Sequence, residues 1–449
     1  MAVTENRRRT TNVGLSSSPN KRGHMKALLA DIAIQRYLFT AAAQKLPRGL
    51  GKNAGWGPGG ILRLIEDDPA PQLPKAPGWV RLRPELSLIC GSDVGLAHAK
   101  VSLELAAYYQ ETQQIPGHEF VAVVDEVGPG VTTVKPGDRV AVDAVISCAQ
   151  RGFDDLCRSC EAGMPNVCER FEMPGVSGCC SPTLGFARTL GGGMAEQAIA
   201  HESQLFPIGD LPSRFAALTE PASIGLHAAL RWQKPAKGAR AVVIGPGAIG
   251  LLTVAALRRL HPDLHISVVS PGQFGSDWAS RVGADRILPA GPAAITTVAE
   301  QDGGRLLNPT ATPGNPAVPI LEQGVDLVVD CVGSSDTIHL GLHLLRAKGT
   351  FVLAGAAGQQ QMNWSLVWKR ELDVLGTTDP GPEPALGGRR TQEQVLEWMN
   401  DGYPVDGMVT HTFELDEWQK AFETASAGPA ARAIRVGIRT NPDLPLVTG

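Results

Sequence analysis

A chain of 449 residues exceeds one ordinary hydrophobic core and calls for two domains, with room for added segments. Its 43% apolar and 19% charged residues are those of a soluble globular protein, and a net charge of -4 supplies no basic footprint for nucleic acid. The longest apolar run, 241–257, is interrupted by Gly245, Pro246, Gly247 and Gly250 and is short for a bilayer, so no membrane span is expected.

The first 24 residues, MAVTENRRRTTNVGLSSSPNKRGH, are basic and polar and lack the apolar stretch of a secretory signal. The expectation is a disordered, solvated extension over 1–24 and a cytoplasmic protein. In that reducing compartment the eight cysteines read as metal ligands or reactive groups rather than disulfides.

Over 25–211, short runs such as EFVAVVDEVGPG and GDRVAVDAV alternate with Gly and Pro, which predicts antiparallel strands joined by turns. Within this part, 31–77 reads largely as loop, with IAIQRYLFTAAAQKL as its helix candidate. Over 239–376 the texture changes. ARAVVIG, HISVVS, GVDLVVDCVG and GTFVLAG are continuous apolar runs, as expected of parallel strands covered on both faces. AIGLLTVAALRRL and DTIHLGLHLLRAK are the helices between them. A second loop-like stretch covers 302–319, and the chain closes on the strand-like AIRVGIRT.

VVIGPGAIGLLTVAAL sets Gly245, Gly247 and Gly250 in a G-x-G-x-x-G pattern between a strand and a helix. Gly245 makes the tight turn, Gly247 lets the backbone approach a pyrophosphate, and Gly250 allows close helix–strand packing. Ala248 and Ile249 open the helix, whose free N–H groups favour the anion. The run HISVVS leads to Ser270 at the position that meets the adenosine ribose. No carboxylate stands there to accept from the 2′-hydroxyl of NAD, and no Arg or Lys is adjacent. The cofactor is read as NAD(P), tilted towards NADP.

Two clusters suit metals. ICGSD and PGHEF bring Cys90 and His118, a thiolate and an imidazole of the kind that hold catalytic zinc with one position left open. Read one at a time, they would equally be a buried thiol and a hydrogen-bonded histidine. The second cluster is Cys157-x2-Cys160-x7-Cys168, with Cys148 upstream, a spacing suited to structural zinc. Its fourth ligand stays open between Cys148 and Asp154. Cys179 and Cys180 read as a loop thiol pair, and Cys331 as a small apolar residue within a buried strand.

Taken in order, MKALL, CGSD, PGHEFVAVVDEVGPGV, KPGDRVAV, the cysteine cluster, GGGMAEQ, TEPASIGLHA, GPGAIG and THTFELDEWQKAFE resemble the zinc-containing medium-chain dehydrogenase/reductase family. That family includes alcohol, polyol, threonine and glucose dehydrogenases. The resemblance covers most of the chain from Met25, outside the two loop-like stretches. It implies an α/β fold: a GroES-like, mainly-β catalytic domain over 25–216, a Rossmann doubly wound parallel sheet over 217–380, and a return to the catalytic domain over 381–449. It implies catalytic zinc held by Cys90 and His118, with Glu119 or Glu220 as the further ligand. Ser92 would relay the substrate proton and Asp93 would orient the histidine. Cys157, Cys160 and Cys168 match structural-zinc cysteines. The family's first such cysteine falls at Asp154, so either Asp154 or Cys148 completes the set, and ligand softness favours Cys148.

The implied activity is hydride transfer between the nicotinamide cofactor and a small alcohol or carbonyl substrate, by a homodimer or homotetramer. The motifs lean towards polyol, sugar or amino-alcohol substrates, with natural-product alcohols as a further class. A zinc-free enoyl or quinone reductase, or a non-catalytic dinucleotide-binding protein, would have lost the Cys90, His118 and Glu119 set. No counterpart is evident for 31–77.

Overall fold

The computed structural model describes residues 23–46, 51, 53–232, 236–311 and 317–448. Residues 1–22 of the expected extension lie outside the described residues, and a strand already begins at His24.

Three larger sheets organise the described residues. The first is six-stranded, in spatial order Arg286–Leu288, His265–Val269, Arg240–Ile244, Val325–Asp330, Leu345–Leu353, Asp373–Gly376. Every neighbouring pair in it is parallel. Its central strand shows why the runs are wholly apolar. Val243 packs into one core, while Val242 and Ile244 pack into another on the opposite face. The chain runs outward from Arg240–Ile244 on one side, then crosses to Val325–Asp330 on the other. A crevice opens at such a reversal, at the carboxyl ends of the strands.

The second sheet has seven strands. Its order is Val409–Glu414, Arg435–Arg439, Trp79–Leu88, Glu119–Val127, Arg139–Val142, Leu205–Pro207, with Ala198–His201 also on Trp79–Leu88. Two registers matter for function. Leu88 pairs with Glu119, and Gly437 pairs with Leu88. Cys90, His118 and Arg435, remote in sequence, therefore emerge at one end of adjacent strands. The helix Thr219–Leu230 then ties the sheets together, packing against Ala248–Leu260 so closely that a Cβ on Gly225 would lie 2.8 Å from the Leu252 backbone. Leu88 and Val121 share one apolar core with Val243 and Leu251.

The third sheet is small: His24–Asp31 pairs antiparallel with Leu62–Pro69 and Gln113–Gln114. It corrects the loop reading of 31–77 by adding the strand Leu62–Pro69, while the helix expected in IAIQRYLFTAAAQKL is present as Ile34–Ala43. The acidic run Glu66, Asp67, Asp68 hid the strand. Asp68 is buried, and Arg188 from a distant loop neutralises it. Asp302 ends the helix Ala293–Asp302, Leu306–Leu307 pairs with Ile320–Leu321, the other described residues of 303–319 are loop, and 312–316 lie outside the described residues. The helix read in DTIHLGLHLLRAK stops at Leu344, and the rest enters the strand Leu345–Leu353. A short apolar run serves either period, and pairing with Val325 decides it. Cys331 lies just past the end of Val325–Asp330 and is half-buried. Among the described residues no helix is long and apolar enough to cross a membrane.

Candidate active site and metal centres

Cys90 caps the short helix Gly91–Ala97, which follows directly on Trp79–Leu88. Its N–H donates to Asp93 Oδ2 at 2.9 Å, so the helix opening and the thiol are fixed together. Donor atoms of Cys90, His118 and Glu119 all lie within 4.8 Å of one another. Glu220, in the first turn of Thr219–Leu230, stays outside that trio but is close enough to interact electrostatically with Glu119, His118 and Cys90.

Each member of the trio has a second attachment. The His118 ring stacks on Phe186, with centroids 5.0 Å apart. Its Nδ1 lies 3.9 Å from Asp93 Oδ1, within ion-pair range, while Nε2 faces Ser92 Oγ at 3.5 Å. Glu119 Oε1 accepts from Arg435 at 2.9 Å, and Glu119 Oε2 is buried with no hydrogen-bond partner among the described residues. The electrostatics of the site are those of a place built for a cation. Burial, reinforced by the Glu119 charge, pushes the Cys90 thiol up to about 12. Burial and then Glu119 likewise hold Glu220 well above the carboxylate range. Burial alone would lower His118, yet Asp93, Glu220 and Glu119 together raise it. A divalent ion would relieve all three, and the soft-plus-hard donor set suits zinc.

The second cluster gathers Cys148, Cys157, Cys160 and Cys168, again within 4.8 Å, and Asp154 is not part of it. Cys148 Sγ lies 3.7 Å and Cys157 Sγ 3.9 Å from Cys168 Sγ. A tetrahedron with Zn–S of about 2.3 Å has edges of about 3.8 Å, which these two spacings match. Backbone N–H groups of Cys160 and Glu169 point at Cys157 Sγ at 3.5 and 3.4 Å, and that of Cys157 points at Cys148 Sγ at 3.5 Å. Such donors stabilise thiolates, as ligation requires.

At the crevice of the parallel sheet, Gly245 has φ 98, a conformation that costs glycine nothing. Gly247 caps the helix Ala248–Leu260, and a Cβ on Gly250 would lie 2.0 Å from the Gly245 carbonyl oxygen. The N–H groups of Ala248 and Ile249 thus stand at a helix start with no side-chain cap, free for a pyrophosphate. Ser270 ends its strand with its N–H bonded to Leu288.

Residues 76–210 match the family model of the alcohol dehydrogenase GroES-like domain, and 248–400 that of the zinc-binding dehydrogenases, together well over half of the chain. The chain belongs to the zinc-dependent medium-chain dehydrogenase family. A probable D-xylulose reductase A of Aspergillus clavatus is 27% identical over 381 residues, covering 84% of this chain and 94% of that protein. An erythritol/L-threitol dehydrogenase of Mycolicibacterium smegmatis is 28% identical over 380 residues, covering 81% and 91%. A solved zinc-binding dehydrogenase of Sinorhizobium meliloti, bound to NADP, is 25% identical, covers 93% of this chain and 100% of its own, and superposes with a TM-score of 0.64. This dehydrogenase is a zinc-dependent oxidoreductase that uses a nicotinamide cofactor and acts on small alcohol or carbonyl substrates.

Several residues around the dehydrogenase site carry no sequence motif. Arg435 reaches Glu119 only through the register of the last strand. Tyr109 packs on Phe186, with centroids 4.9 Å apart, and Phe186 in turn covers His118. Asp379 follows the edge strand Asp373–Gly376, and its carbonyl accepts from Asn166 of the cysteine lobe at 2.9 Å. Burial raises Asp379 against the opposing pull of His118 and His227, which puts its carboxyl within electrostatic reach of the site. His227 is itself held by Glu383. A lone acid after a parallel strand was the available signal for Asp379, since such strand ends line ligand crevices.

Proposed function

We propose that this dehydrogenase oxidises a secondary hydroxyl of a polyol or related sugar alcohol, and reduces the matching ketone in reverse. The assembled trio of Cys90, His118 and Glu119 carries the reading, with Ser92 beside it. These three residues would hold the catalytic zinc, with Glu220 as an exchange partner for Glu119 during turnover. Cys148, Cys157, Cys160 and Cys168 would hold the structural one. When bound, zinc supplies Lewis acidity to the reacting oxygen, and the nicotinamide exchanges the hydride.

The chain's own residues do the rest. Ser92 Oγ takes the hydroxyl proton of the substrate and passes its own outward. Asp93 holds the His118 ring so that Nε2 faces the reacting centre. Gly245, Gly247 and the N–H groups of Ala248 and Ile249 bind the cofactor pyrophosphate. Phe186 and Tyr109 wall the site, and Asp379 accepts a bond from a hydroxyl remote from the reaction.

Two observations support a polyol. The site presents Asp379 and the Tyr109 hydroxyl instead of a purely apolar slot, and the curated relatives named above are a xylulose reductase and an erythritol/threitol dehydrogenase. A panel of polyols, amino alcohols and primary alcohols, followed by nicotinamide absorbance, tests it. Polyols should give the highest kcat/KM, and turnover confined to primary alcohols would overturn the reading. A homo-oligomer is supported by the strand Asp373–Gly376, an open edge among the described residues, which carries exposed Val374 and follows exposed Trp364 and Trp368. Sedimentation showing monomer alone would refute that assembly.

A further inference from the structure

The adenosine end of the crevice holds a basic group that no neighbouring stretch of sequence supplies. Ser270 occupies the ribose position without a carboxylate. Its hydroxyl donates to the Gly272 carbonyl at 3.0 Å and accepts from Ser276 Oγ at 3.0 Å, and Ser276 also reaches the Gly272 carbonyl at 2.9 Å. One acid follows in the next helical turn, Asp277, and the Gln273 amide engages it at 2.7 Å. The turn abuts the pyrophosphate loop: a Cβ on Gly275 would lie 2.5 Å from Pro246 Cγ and 3.2 Å from Ser270 Oγ.

Onto this turn comes Arg432, from the far end of the chain. Its guanidinium centre lies 5.0 Å from the Phe274 ring centroid. The residue is exposed, and among the described residues no carboxylate forms an ion pair with it. Its φ is 54, a left-handed backbone unusual for a residue with a side chain, and its N–H is tied to the Pro429 carbonyl at 3.0 Å. A guanidinium lying over a ring keeps its edge N–H groups free, and those edges match phosphate oxygens in pairs. Arg432, without an ion-pair partner among the described residues, thus stands over Phe274, four residues from Ser270 and two from Ser276, beside a turn that carries no carboxylate at the ribose position.

We propose that Arg432, steadied on Phe274, forms with Ser270 and Ser276 the seat of an adenosine 2′-phosphate, so that the chain selects NADP over NAD. The inference rests on the reading of the chain as a nicotinamide dehydrogenase. The serine protons rotate from the Gly272 carbonyl towards the phosphate, and Arg432 supplies the countercharge.

Calorimetric titration of the zinc-loaded full chain with 2′,5′-ADP and with 5′-AMP tests it without turnover. The wild type should bind 2′,5′-ADP about tenfold or more tighter than 5′-AMP, the scale of one charge-assisted contact. Arg432→Ala should weaken 2′,5′-ADP about tenfold and leave 5′-AMP within about twofold. Ser270→Asp should do the same by repulsion. If Arg432 only clasps the two sheets through Phe274, its loss weakens both nucleotides alike, and the proposal fails. Equal wild-type affinities also overturn it. Binding of neither nucleotide would overturn the dehydrogenase reading with it, whereas binding of 5′-AMP alone would leave that reading standing.

Discussion

The two candidate zinc centres use the same element in opposite ways. In the lobe, four thiols gather within 4.8 Å of one another, two of the spacings being those of a tetrahedron's edge, and backbone N–H groups serve the Cys148 and Cys157 sulfurs. Around the crevice, three unlike donors meet, and each is tied to something else: Cys90 to Asp93, His118 to Phe186, Glu119 to Arg435. Within the lobe, burial raises Cys160 and Cys168, whereas for Cys157 the N–H groups of Cys160 and Glu169, together with the neighbouring thiols, outweigh burial and bring the thiol down to about 6. For Cys90 the Glu119 charge adds to burial instead, and the thiol is driven to about 12. A shell completed by the chain holds a metal and does nothing further. The trio, with Glu119 Oε2 unpartnered among the described residues, would form a shell short of one ligand, as a catalytic zinc site requires.

The sharpest way to break this contrast is Cys90→Ala. Turnover should fall about 10^3-fold or more, because several kcal/mol of transition-state stabilisation depend on the metal. Nicotinamide binding, measured by fluorescence, should hardly change, since the glycine turn belongs to the other sheet. A variant retaining a tenth of wild-type turnover would show that the trio is not the reacting centre.

Removing a lobe ligand should act on stability before chemistry. Cys148→Ser is expected to lose one zinc per chain by metal analysis. It should also lower the apparent melting temperature by several degrees, as expected when a structural site goes. Below that temperature kcat should stay within about threefold, since the lobe reaches the site only through contacts such as Asn166 to Asp379. Asp154→Asn is the control, and it should alter neither zinc content nor melting. Loss of zinc in the Asp154 variant instead would reassign the fourth ligand.

How much of this was legible in the sequence follows from what fixes each group. The glycine turn and the C-x2-C spacing are local, so the chain displays them directly. Cys90 and His118 could be paired only by resemblance, because the Leu88–Glu119 register that joins them is a tertiary fact. Arg435 depends on the Gly437–Leu88 register, and Arg432 on a ring it meets across the crevice. Neither has a neighbour in sequence that could have announced it. The strand Leu62–Pro69 was missed for a related reason. Its buried acid Asp68 breaks the apolar alternation and is tolerated only because Arg188 arrives from elsewhere.

The smallest expected effect concerns Asp379, which stands outside both centres yet is linked towards each. Its carbonyl is anchored by Asn166 of the lobe, and its carboxyl lies within the electrostatic reach of His118 and Tyr109. Asp379→Asn keeps the shape and the acceptor oxygen but removes the charge. The group is half-buried, so a bond to it contributes on the order of 1 kcal/mol, and KM for a polyol should rise by about three- to tenfold. With binding equal in ground and transition states, kcat should be nearly unchanged. A primary alcohol without a second hydroxyl should show no difference. If KM rises equally for both substrates, Asp379 shapes the crevice without reading the substrate. The lobe then supports the site only as a wall.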